Sequence, residues 1–321
     1  MISINKFRAT DEQFRELSRI ENLINHDFIV HPDDTKNDWK NRNKSLANDK
    51  LLLYNNDTLI GNLNYSQGRD GNSMTAEYSL YLDPIYNNKG YRSLLYKKML
   101  EEVRRFRCNK IITTIYEHVN YKEHKKILVK NGFKLAQTNR EYSCDIRKIN
   151  FKKYYPLIQR LESKGIKLYD SKKEMKDWEN HYIKLEELSW IYGKDVPMPK
   201  GIEREREPFK EFMKDQIDYE KNYYGVEIIA VKDNKYIGST DLDVFYKSEP
   251  HKAWTGSLGV LKEFRRIGVA TAIKIKALEI LFKNGITKVM TDNEINNPMY
   301  KINEKLGFRT EPFSLDYIKD M

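Results

Sequence analysis

The stretch Leu258–Leu281, LGVLKEFRRIGVATAIKIKALEIL, joins the end of a strand to a helix through a glycine turn. Its second part has an apolar face at helical spacing, formed by Ile273, Ala277, Ile280 and Leu281. The helix nevertheless starts beside two arginines, although its amino end already carries about half a positive charge and ordinarily takes an acidic or hydroxyl cap. A bound anion would remove this conflict, so the stretch predicts an anionic ligand at the turn.

The residues of this turn favour a phosphate. Main-chain N–H groups from Arg266 to Thr271 have no partner within the helix and converge on one point. Gly268 allows a backbone conformation closed to other residues, and Ala270 keeps the first turn free of bulk. Charge-assisted hydrogen bonds from arginine contribute roughly 1.5–3 kcal/mol each, more than the roughly 0.3–1 kcal/mol cost of a cation beside the helix dipole. We therefore predict a nest for a pyrophosphate.

Length and composition predict a soluble protein of two domains. The 321 residues exceed the size of one typical domain. With 40% hydrophobic and 32% charged residues, the chain has no run near the length of about 18 apolar residues that a membrane span needs. Its first residues, MISINKFRATDEQF, lack the basic, apolar and small-residue order of a secretory signal, so we expect a cytoplasmic protein.

Cysteine, histidine and charge patterns argue against several other functions. Cys108 and Cys144 are the only cysteines and have no zinc-ligand spacing. His118 and His124 are six residues apart in a Lys-rich segment and form no HExxH pair, so no metal site is predicted. The net charge of +10 is spread among 47 acidic residues, which favours a solvated surface over a nucleic-acid or membrane partner.

The chain contains an internal repeat. Each half has a strand, a helix, a hairpin with Ile-Gly, a strand leading through a glycine turn into a helix, a further strand and a final Gly-Phe. The equivalent glycines are Gly61 and Gly238, 177 residues apart, Gly90 and Gly268, 178 apart, and Gly132 and Gly307, 175 apart. We predict an N-terminal domain at 1–148, a helical linker at 149–164 and a C-terminal domain at 165–321.

Local signals place the first elements of each repeat. Thr10 with Gln13, and Ser171 with Glu174, have the spacing of helix-capping boxes. The helix after the second box is predicted to present one apolar face, formed by Met175, Trp178, Tyr182 and Leu185. The hairpin turns are predicted at Asn56–Asp57 and Asp233–Asn234.

The order strand, Arg265-x-x-Gly268-x-Ala270, helix, strand and NNPMYKINEKLGF (Asn296–Phe308) resembles the GNAT acetyltransferases. Their phosphate-binding turn has the form Arg/Gln-x-x-Gly-x-Gly/Ala. The resemblance to the tandem type covers most of the chain and is strongest from Gly165 to Arg309. It implies an α/β fold with a mixed sheet, in two tandem acyl-CoA N-acyltransferase domains.

The resemblance also implies a set of cofactor-binding residues. In GNAT proteins the turn binds the pyrophosphate of acetyl-coenzyme A, which here assigns Arg265, Arg266, Ile267, Gly268, Val269, Ala270 and Thr271. The main chain of Gly259 and Val260 would pair with the pantetheine arm, and Asn296 and Asn303 lie in the second cofactor-binding segment. From the residues alone, Asn296 could equally cap a helix and Val260 could be part of the core.

The first repeat departs from this pattern. Lys89 and Gly90 preserve the turn, but Asn87 replaces the arginine and Arg92 stands in the place of Ala270. A long side chain there would crowd the nest. We predict that the N-terminal domain keeps the fold and is degenerate, with cofactor binding weakened or lost.

Acetyl transfer requires a neutral amine. An alkyl amine with a pKa near 10.4 costs about 1.36 kcal/mol per pH unit to deprotonate, roughly 4 kcal/mol at neutral pH, and a carboxylate can accept the proton. Asp241 and Asp243 share one strand face and are the first candidates, although acids on a strand commonly face solvent. Weaker alternatives are Glu227, Asp292 and Glu294.

The proton donor is predicted from the family pattern. Many GNAT enzymes have a tyrosine four residues before the final Gly-Phe, where it protonates the departing thiolate. Asn303 has that place here and cannot act as an acid, so Tyr300, one turn earlier, is the predicted substitute. A thiol with a pKa of about 8.5 is a fair leaving group by itself, so an acid is not strictly required.

The predicted activity is direct transfer of the acetyl group of acetyl-coenzyme A to a primary amine in a ternary complex. We expect the acceptor to be a small molecule, with a peptide left open, and the protein to be a monomer or homodimer. One alternative is an acetyl-coenzyme A sensor or adaptor with a dead site. Another is a Fem-like aminoacyl transferase, for which the positive charge would suit a tRNA donor but the intact RRIGVA turn would not be needed.

Overall fold

The computed structural model describes residues 1–25, 29–42, 44, 46–69, 72–87, 90–117, 121–222, 224–244 and 247–321. The chain divides into two compact units. Unit 1 comprises Met1–Asn139, Met198–Glu205 and Pro312–Met321, and unit 2 comprises Arg140–Pro197 and Arg206–Glu311. Each unit has helices and a sheet in which the register of the described residues shows antiparallel pairs and one parallel pair, which confirms the predicted α/β class. The domain limits 1–148 and 165–321 remain predictions about the repeat, because the compact units are not contiguous in sequence.

Unit 1 is built around the sheet order β1-β2-β3-β4-β5-β12. Its strands are β1 (Ile2–Lys6), β2 (Asn48–Asn55), β3 (Thr58–Arg69), β4 (Asn72–Leu82), β5 (Lys110–Tyr116) and the part of β12 (Arg309–Asp320) from Pro312 onward. Its helices are α1 (Asp11–Ile24), α2 (Pro32–Asn41), α3 (Tyr91–Val103) and α4 (Tyr121–Lys130). The predicted cap of α1 is confirmed, because Thr10 Oγ1 accepts a hydrogen bond from Gln13 N at 3.2 Å.

Unit 2 has the sheet order β6-β11-β10-β9-β8-β7. Its strands are the part of β6 (Lys134–Asp145) from Arg140, β7 (Ile166–Asp170), β8 (Tyr224–Lys232), β9 (Lys235–Val244), β10 (Lys252–Val260) and β11 (Lys288–Glu294). Its helices are α5 (Tyr155–Glu162), α6 (Ser171–Glu174), α7 (His181–Gly193), α8 (Phe209–Asn222), α9 (Val269–Lys283) and α10 (Tyr300–Lys305). Helix α5 lies within the predicted helical linker.

The predicted capping box at Ser171 is wrong by one residue. Asp170 is the cap, since its Oδ1 accepts from Lys173 N at 3.3 Å and its own N–H donates to Glu174 Oε2 at 2.6 Å. The helix then ends after one turn, and α7 begins only at His181. Ser171 is buried and hydrogen-bonded to the His181 ring at 3.1 Å, so its hydroxyl stabilises the connection between two helices.

The last strands of the two repeats are exchanged. Strand β6 ends the first repeat in sequence, but from Arg140 it belongs to unit 2, where its neighbour is β11. Strand β12 ends the second repeat, but from Pro312 it belongs to unit 1 and pairs antiparallel with β5, with Ile318 opposite Ile112. The core of each unit therefore includes side chains from the other repeat: Tyr142 and Cys144 in unit 2, and Leu315 and Tyr317 in unit 1.

The strands that frame the predicted cofactor site diverge along their length. Strands β10 and β11 are paired in parallel at three positions, the last joining Trp254 to Met290. Beyond this pair, the described residues show no further pairing between them. Strand β10 also has an irregular register with β9 between Thr255 and Ser257. The sheet of unit 2 thus opens toward the residues that precede the glycine turn.

No described helix is both long and apolar enough to cross a membrane. No group of three or more His, Cys, Asp or Glu side chains among them could hold a metal ion. Of the two histidines considered above, His118 lies outside the described residues.

Candidate functional site

The glycine turn before α9 has the backbone of an anion nest. Two residues have a left-handed conformation, Arg266 with φ of 67° and Gly268 with φ of 102°. The first main-chain hydrogen bond of the helix joins Ala272 N to Gly268 O at 3.0 Å. Within the part of the chain that the structure describes, no hydrogen bond engages the six N–H groups from Arg266 to Thr271. These donors fit the oxygens of a pyrophosphate.

The two arginines of the turn have different surroundings. The Arg265 guanidinium donates to Val260 O at 2.8 Å and to Asp195 Oδ2 at 2.6 Å, so this side chain braces the turn against β10. Lys262 also pairs with Asp195, at 3.2 Å. The Arg266 side chain is exposed. The expected phosphate contact of Arg265 thus stays a prediction, and its side chain is already bound within the protein.

Small residues let the turn and the strand end pack closely. A Cβ on Gly268 would lie 2.6 Å from Leu157 Cδ1 of α5, and Val269 is buried beneath the turn. Ile267, Ala270 and Thr271 are half-buried. At the strand end, the Tyr192 ring packs directly on Gly259, leaving no room for a side chain there. Val260 is buried in the core of unit 2.

A cavity of about 180 Å³ opens in unit 2 beside this strand end. Its lining combines acidic, hydroxyl and apolar side chains from α6 to β10: Lys172, Leu185, Ser189, Tyr192, Gln216, Gly225, Val226, Glu227, Asp241, Asp243 and Ser257. The structure therefore brings together the two first-choice acids, Asp241 and Asp243, with the weaker candidate Glu227. Asp241 and Asp243 do not face open solvent, because both are half-buried and share this cavity with side chains of α7 and with Gln216 of α8.

The two aspartates differ in their hydrogen bonding. Asp241 Oδ1 accepts a hydrogen bond from Ser257 Oγ, and Ser257 is bonded in turn to the Tyr192 hydroxyl at 3.2 Å. Asp243 Oδ1 is buried and has no hydrogen-bond partner among the described residues. Burial raises the pKa of both carboxyls, that of Asp243 to about 6, while nearby Lys172 opposes the shift. Asp243 is thus ionised at neutral pH and has an oxygen available to accept a proton.

The equivalent turn in the first repeat is altered as the sequence indicates. Gly90 keeps a left-handed conformation with φ of 74° before α3. Arg92 is 5% exposed and folds back on the turn, where its Nε and Nη2 donate to Asn87 Oδ1 at 3.2 and 2.9 Å. Lys89 lies outside the described residues. The prediction of a degenerate cofactor site in this repeat rests on Asn87 and Arg92.

A model of the acetyltransferase (GNAT) family matches the chain twice, at residues 14–127 and 185–308. The chain belongs to the GNAT family. The two matches confirm the predicted tandem arrangement of this fold. GNAT proteins generally bind an acyl-coenzyme A, and their fold supports acyl-CoA N-acyltransferase activity.

Several solved structures share the fold over the whole chain. A tandem GNAT protein from the clavulanic acid biosynthesis pathway has a TM-score of 0.77 and 14% identity, covering 100% of this chain and 98% of that one. A GNAT protein from Sphaerobacter thermophilus has a TM-score of 0.72 and 12% identity, covering 99% and 95%. A glucosamine N-acetyltransferase region of a fungal multi-domain β-N-acetylglucosaminidase has a TM-score of 0.72 and 13% identity, covering 99% and 38%. No curated protein sequence matches the chain.

The second cofactor segment of the GNAT pattern is held by internal hydrogen bonds. The main-chain N–H and the Nδ2 of Asn296 both donate to the Glu294 carboxylate at 2.9 Å. Asn303 is 2% exposed; its Oδ1 accepts from Lys274 Nζ at 2.6 Å and its Nδ2 donates to Asn293 Oδ1 at 2.7 Å. The cofactor contacts expected of Asn296 and Asn303 stay predictions.

Tyr300, the predicted proton donor, is not among the residues that line the carboxylate cavity. It begins α10 and packs, partly buried, against the core of unit 2. Within the described part of the chain, its hydroxyl has no hydrogen bond. The structure therefore groups Asp241 with Asp243 but does not group Tyr300 with them, and its catalytic role stays a prediction.

Sequence reasoning missed three residues of the cavity and one buried lysine beside Asn303. Tyr192 and Ser257 form the hydrogen-bonded wall behind Asp241, and periodicity gives no signal for either, since both fit ordinary helix and strand patterns. Lys172 lies beside the two aspartates. Lys274 did carry a signal, because a lysine stands there among apolar residues on nearly every side of α9.

Proposed function

We propose that this protein transfers the acetyl group of acetyl-coenzyme A to a primary amine of a small molecule by direct attack. The observation that carries the proposal is the buried Asp243 carboxylate, with an oxygen free to accept a proton, in a cavity beside β10. The nest from Arg266 to Thr271, which follows β10 in the chain, supplies donors suited to the coenzyme pyrophosphate. In the reaction, the amine nitrogen bonds to the acetyl carbon and the carbon–sulfur bond breaks, leaving the thiolate of coenzyme A.

Asp243 and Asp241 have different roles in the proposed reaction. Asp243 accepts the proton that the amine must lose, and its pKa of about 6 keeps it ionised at neutral pH. Asp241 binds Ser257 and so fixes the wall of the cavity behind the reacting amine. The cavity volume suits a small acceptor such as a polyamine, an amino sugar or an aminated antibiotic. A cytoplasmic location and a monomeric or homodimeric state complete the proposal.

Replacing Asp243 tests the proposed base. We expect Asp243→Asn to lower kcat about 100-fold, a typical contribution of general base catalysis, without changing the affinity for acetyl-coenzyme A. The wild-type rate should rise as pH increases through about 6, where Asp243 loses its proton, and this rise should be absent in the variant. The measurement is thiol release with a panel of primary amines between about pH 5 and 8.

Asp233→Asn is the matched control. Asp233 is exposed in the turn before β9 and has a φ of 48°, a conformation that asparagine tolerates. The control should keep the wild-type rate and pH profile. Equal rates for Asp243→Asn and the wild type would assign the base elsewhere, with Glu227 the next acid of the cavity. Tight acetyl-coenzyme A binding without thiol release for any amine would favour the sensor alternative.

Cofactor stoichiometry tests the degenerate first repeat. We expect calorimetric titration with acetyl-coenzyme A to give one site per chain, because Arg92 occupies the position where the second repeat has Ala270. Gly90→Ala should leave the titration unchanged. Two equivalent sites per chain would contradict the proposal that the first repeat has lost cofactor binding.

The Fem-like alternative predicts a different partner. An aminoacyl transferase of that type would need a tRNA donor and no pyrophosphate nest, whereas the nest is intact in the second repeat. A tRNA complex that weakens steeply with salt would revive this alternative.

A further inference from the structure

Lys274 is the least expected residue of unit 2. It lies in the middle of α9 at 1% exposure, between the buried Ile273 and Ile275. Its Nζ is 4.8 Å from the centre of the Phe308 ring and has one hydrogen-bond acceptor among the described residues, Asn303 Oδ1 at 2.6 Å. Burying an ammonium group is strongly unfavourable, and a methionine would fill the same space without this cost. Groups whose pKa is strongly shifted by burial cluster at functional sites.

The hydrogen bonds of Lys274 fix the orientation of two asparagine side chains. An ammonium group only donates, so the Asn303 atom that faces it must be the oxygen. The Asn303 nitrogen therefore points the other way and donates to Asn293 Oδ1 at 2.7 Å. This contact in turn directs the Nδ2 of Asn293 away from Asn303. The three side chains form one series of hydrogen bonds, in which each N–H group points away from the Lys274 ammonium.

This series of hydrogen bonds ends where the sheet of unit 2 opens. Asn293 lies on β11, three residues beyond Met290, the last residue paired with β10. Asn293 is half-buried, and its Nδ2 has no acceptor within the described residues. A buried ammonium polarises the amides hydrogen-bonded to it in series, so the terminal N–H is a stronger donor than an ordinary asparagine.

We propose that Lys274, Asn303 and Asn293 form a relay that stabilises the negative charge developing on the coenzyme A sulfur. The inference rests on the proposed function. As the amine nitrogen bonds to the acetyl carbon, the carbon–sulfur electron pair stays on sulfur, and the amine proton passes to Asp243. The Asn293 N–H donates to the sulfur without transferring its proton, and the thiolate is protonated later by solvent. The relay thus replaces the missing tyrosine at position 303 by electrostatic stabilisation.

The relay depends on the charge of Lys274. Burial lowers the pKa of this ammonium to about 7, and the one titratable group acting on it among the described residues is the Cys144 thiol of β6. Burial raises the pKa of that thiol to about 11, so it stays neutral in the working range. Helix α10 and the turn after it present two uncharged groups to the Lys274 ammonium, the Asn303 amide and the Phe308 ring. The relay is therefore complete below a pH of about 7 and is lost as pH rises through that value.

Kinetics of three variants test the relay. Lys274→Met keeps the volume and removes the charge, and Asn293→Ala removes the terminal donor at a half-buried position. We expect each to lower kcat about 10- to 100-fold with little change in KM for acetyl-coenzyme A, and the double variant to be no slower than the slower single variant. The matched control is Lys276→Met, two residues further along α9, where Nζ donates to Leu168 O at 2.5 Å. This control should keep the wild-type kcat.

Binding gives a second readout that needs no turnover. At a pH of about 6.5, the wild type should bind coenzyme A about tenfold more tightly than desulfo-coenzyme A, as expected for a hydrogen bond assisted by charge, and Lys274→Met should bind both equally. An unchanged preference in Lys274→Met, or additive kcat losses in the double variant, would overturn the relay. If the wild type releases no thiol with any amine, the proposed function fails, and the binding ratio still decides whether the relay exists.

Discussion

Gly268→Val is expected to abolish acetyl-coenzyme A binding, with an affinity at least about 100-fold below that of the wild type. The backbone at Gly268 has a φ of 102°, which a β-branched residue adopts only with strain. The added side chain also meets Leu157, but the Leu157 Cδ1 is a flexible chain end and can move. The backbone angle is therefore the main cause. Losing two charge-assisted hydrogen bonds from the nest costs roughly 3–6 kcal/mol, which gives the expected factor.

Gly285→Val separates this effect from general strain. Gly285 follows the same helix, has a φ of 86° and has open space where a side chain would be added. We expect backbone strain to lower the stability of both variants, but only Gly268→Val changes the nest. Calorimetric titration of the two variants should show near wild-type affinity for Gly285→Val. An affinity of Gly268→Val within about threefold of the wild type would mean that the nest does not bind the coenzyme.

The parts of the fold that local chemistry determines were predictable. A hairpin turn needs residues that tolerate positive φ, and Asn56, Asp233 and Asn234 have φ values between 48° and 61°. The glycine turn at Gly268 follows from the same reasoning, as does the cap at Thr10. The error at Ser171 has a local cause as well: Asp170 and Ser171 are both good caps, and only the path of the preceding strand decides between them.

The exchange of the last strands could not be predicted. The residues of β6 and β12 fit either neighbouring strand equally well by alternation, and the repeat itself suggests that each half is complete. Only the contacts of the folded chain decide that Leu315 and Tyr317 join the core of unit 1. A sequence repeat therefore predicts the kind of domain and its number more reliably than its boundaries.

The candidate site also combines features that local sequence predicts with features that depend on tertiary contacts. The period of two put Asp241 and Asp243 on one face of β9, but the cavity that they share with α7 depends on tertiary packing, which no local pattern predicts. The family pattern indicated that position 303 lacks the tyrosine expected to act as an acid. It gave no reason to look for Lys274, because the partner of Asn303 comes from another helix, 29 residues away.

Unfolding measured against pH should reveal the Lys274 charge directly. The pKa of this group is lowered to about 7 in the folded protein, whereas the unfolded chain has the ordinary value of 10.5. Between these values the unfolded chain binds a proton that the folded protein does not, so this lysine makes stability rise with pH. Its destabilising effect is complete below a pH of about 7 and absent above 10.5. The full change is about 5 kcal/mol.

Lys274→Met removes this dependence. The difference in the free energy of unfolding between the variant and the wild type should therefore shift by most of that amount between about pH 6 and 9.5, in favour of the wild type as pH rises. The loss of the hydrogen bond to Asn303 adds an offset that does not depend on pH. The test is therefore how the difference in the free energy of unfolding changes with pH, and its sign at any one pH does not matter. Urea unfolding followed by circular dichroism gives both curves, with Lys276→Met as the control that should run parallel to the wild type. Parallel curves for Lys274→Met would show that the ammonium is hydrated in the folded protein, and a hydrated charge could not polarise the asparagines that the relay needs.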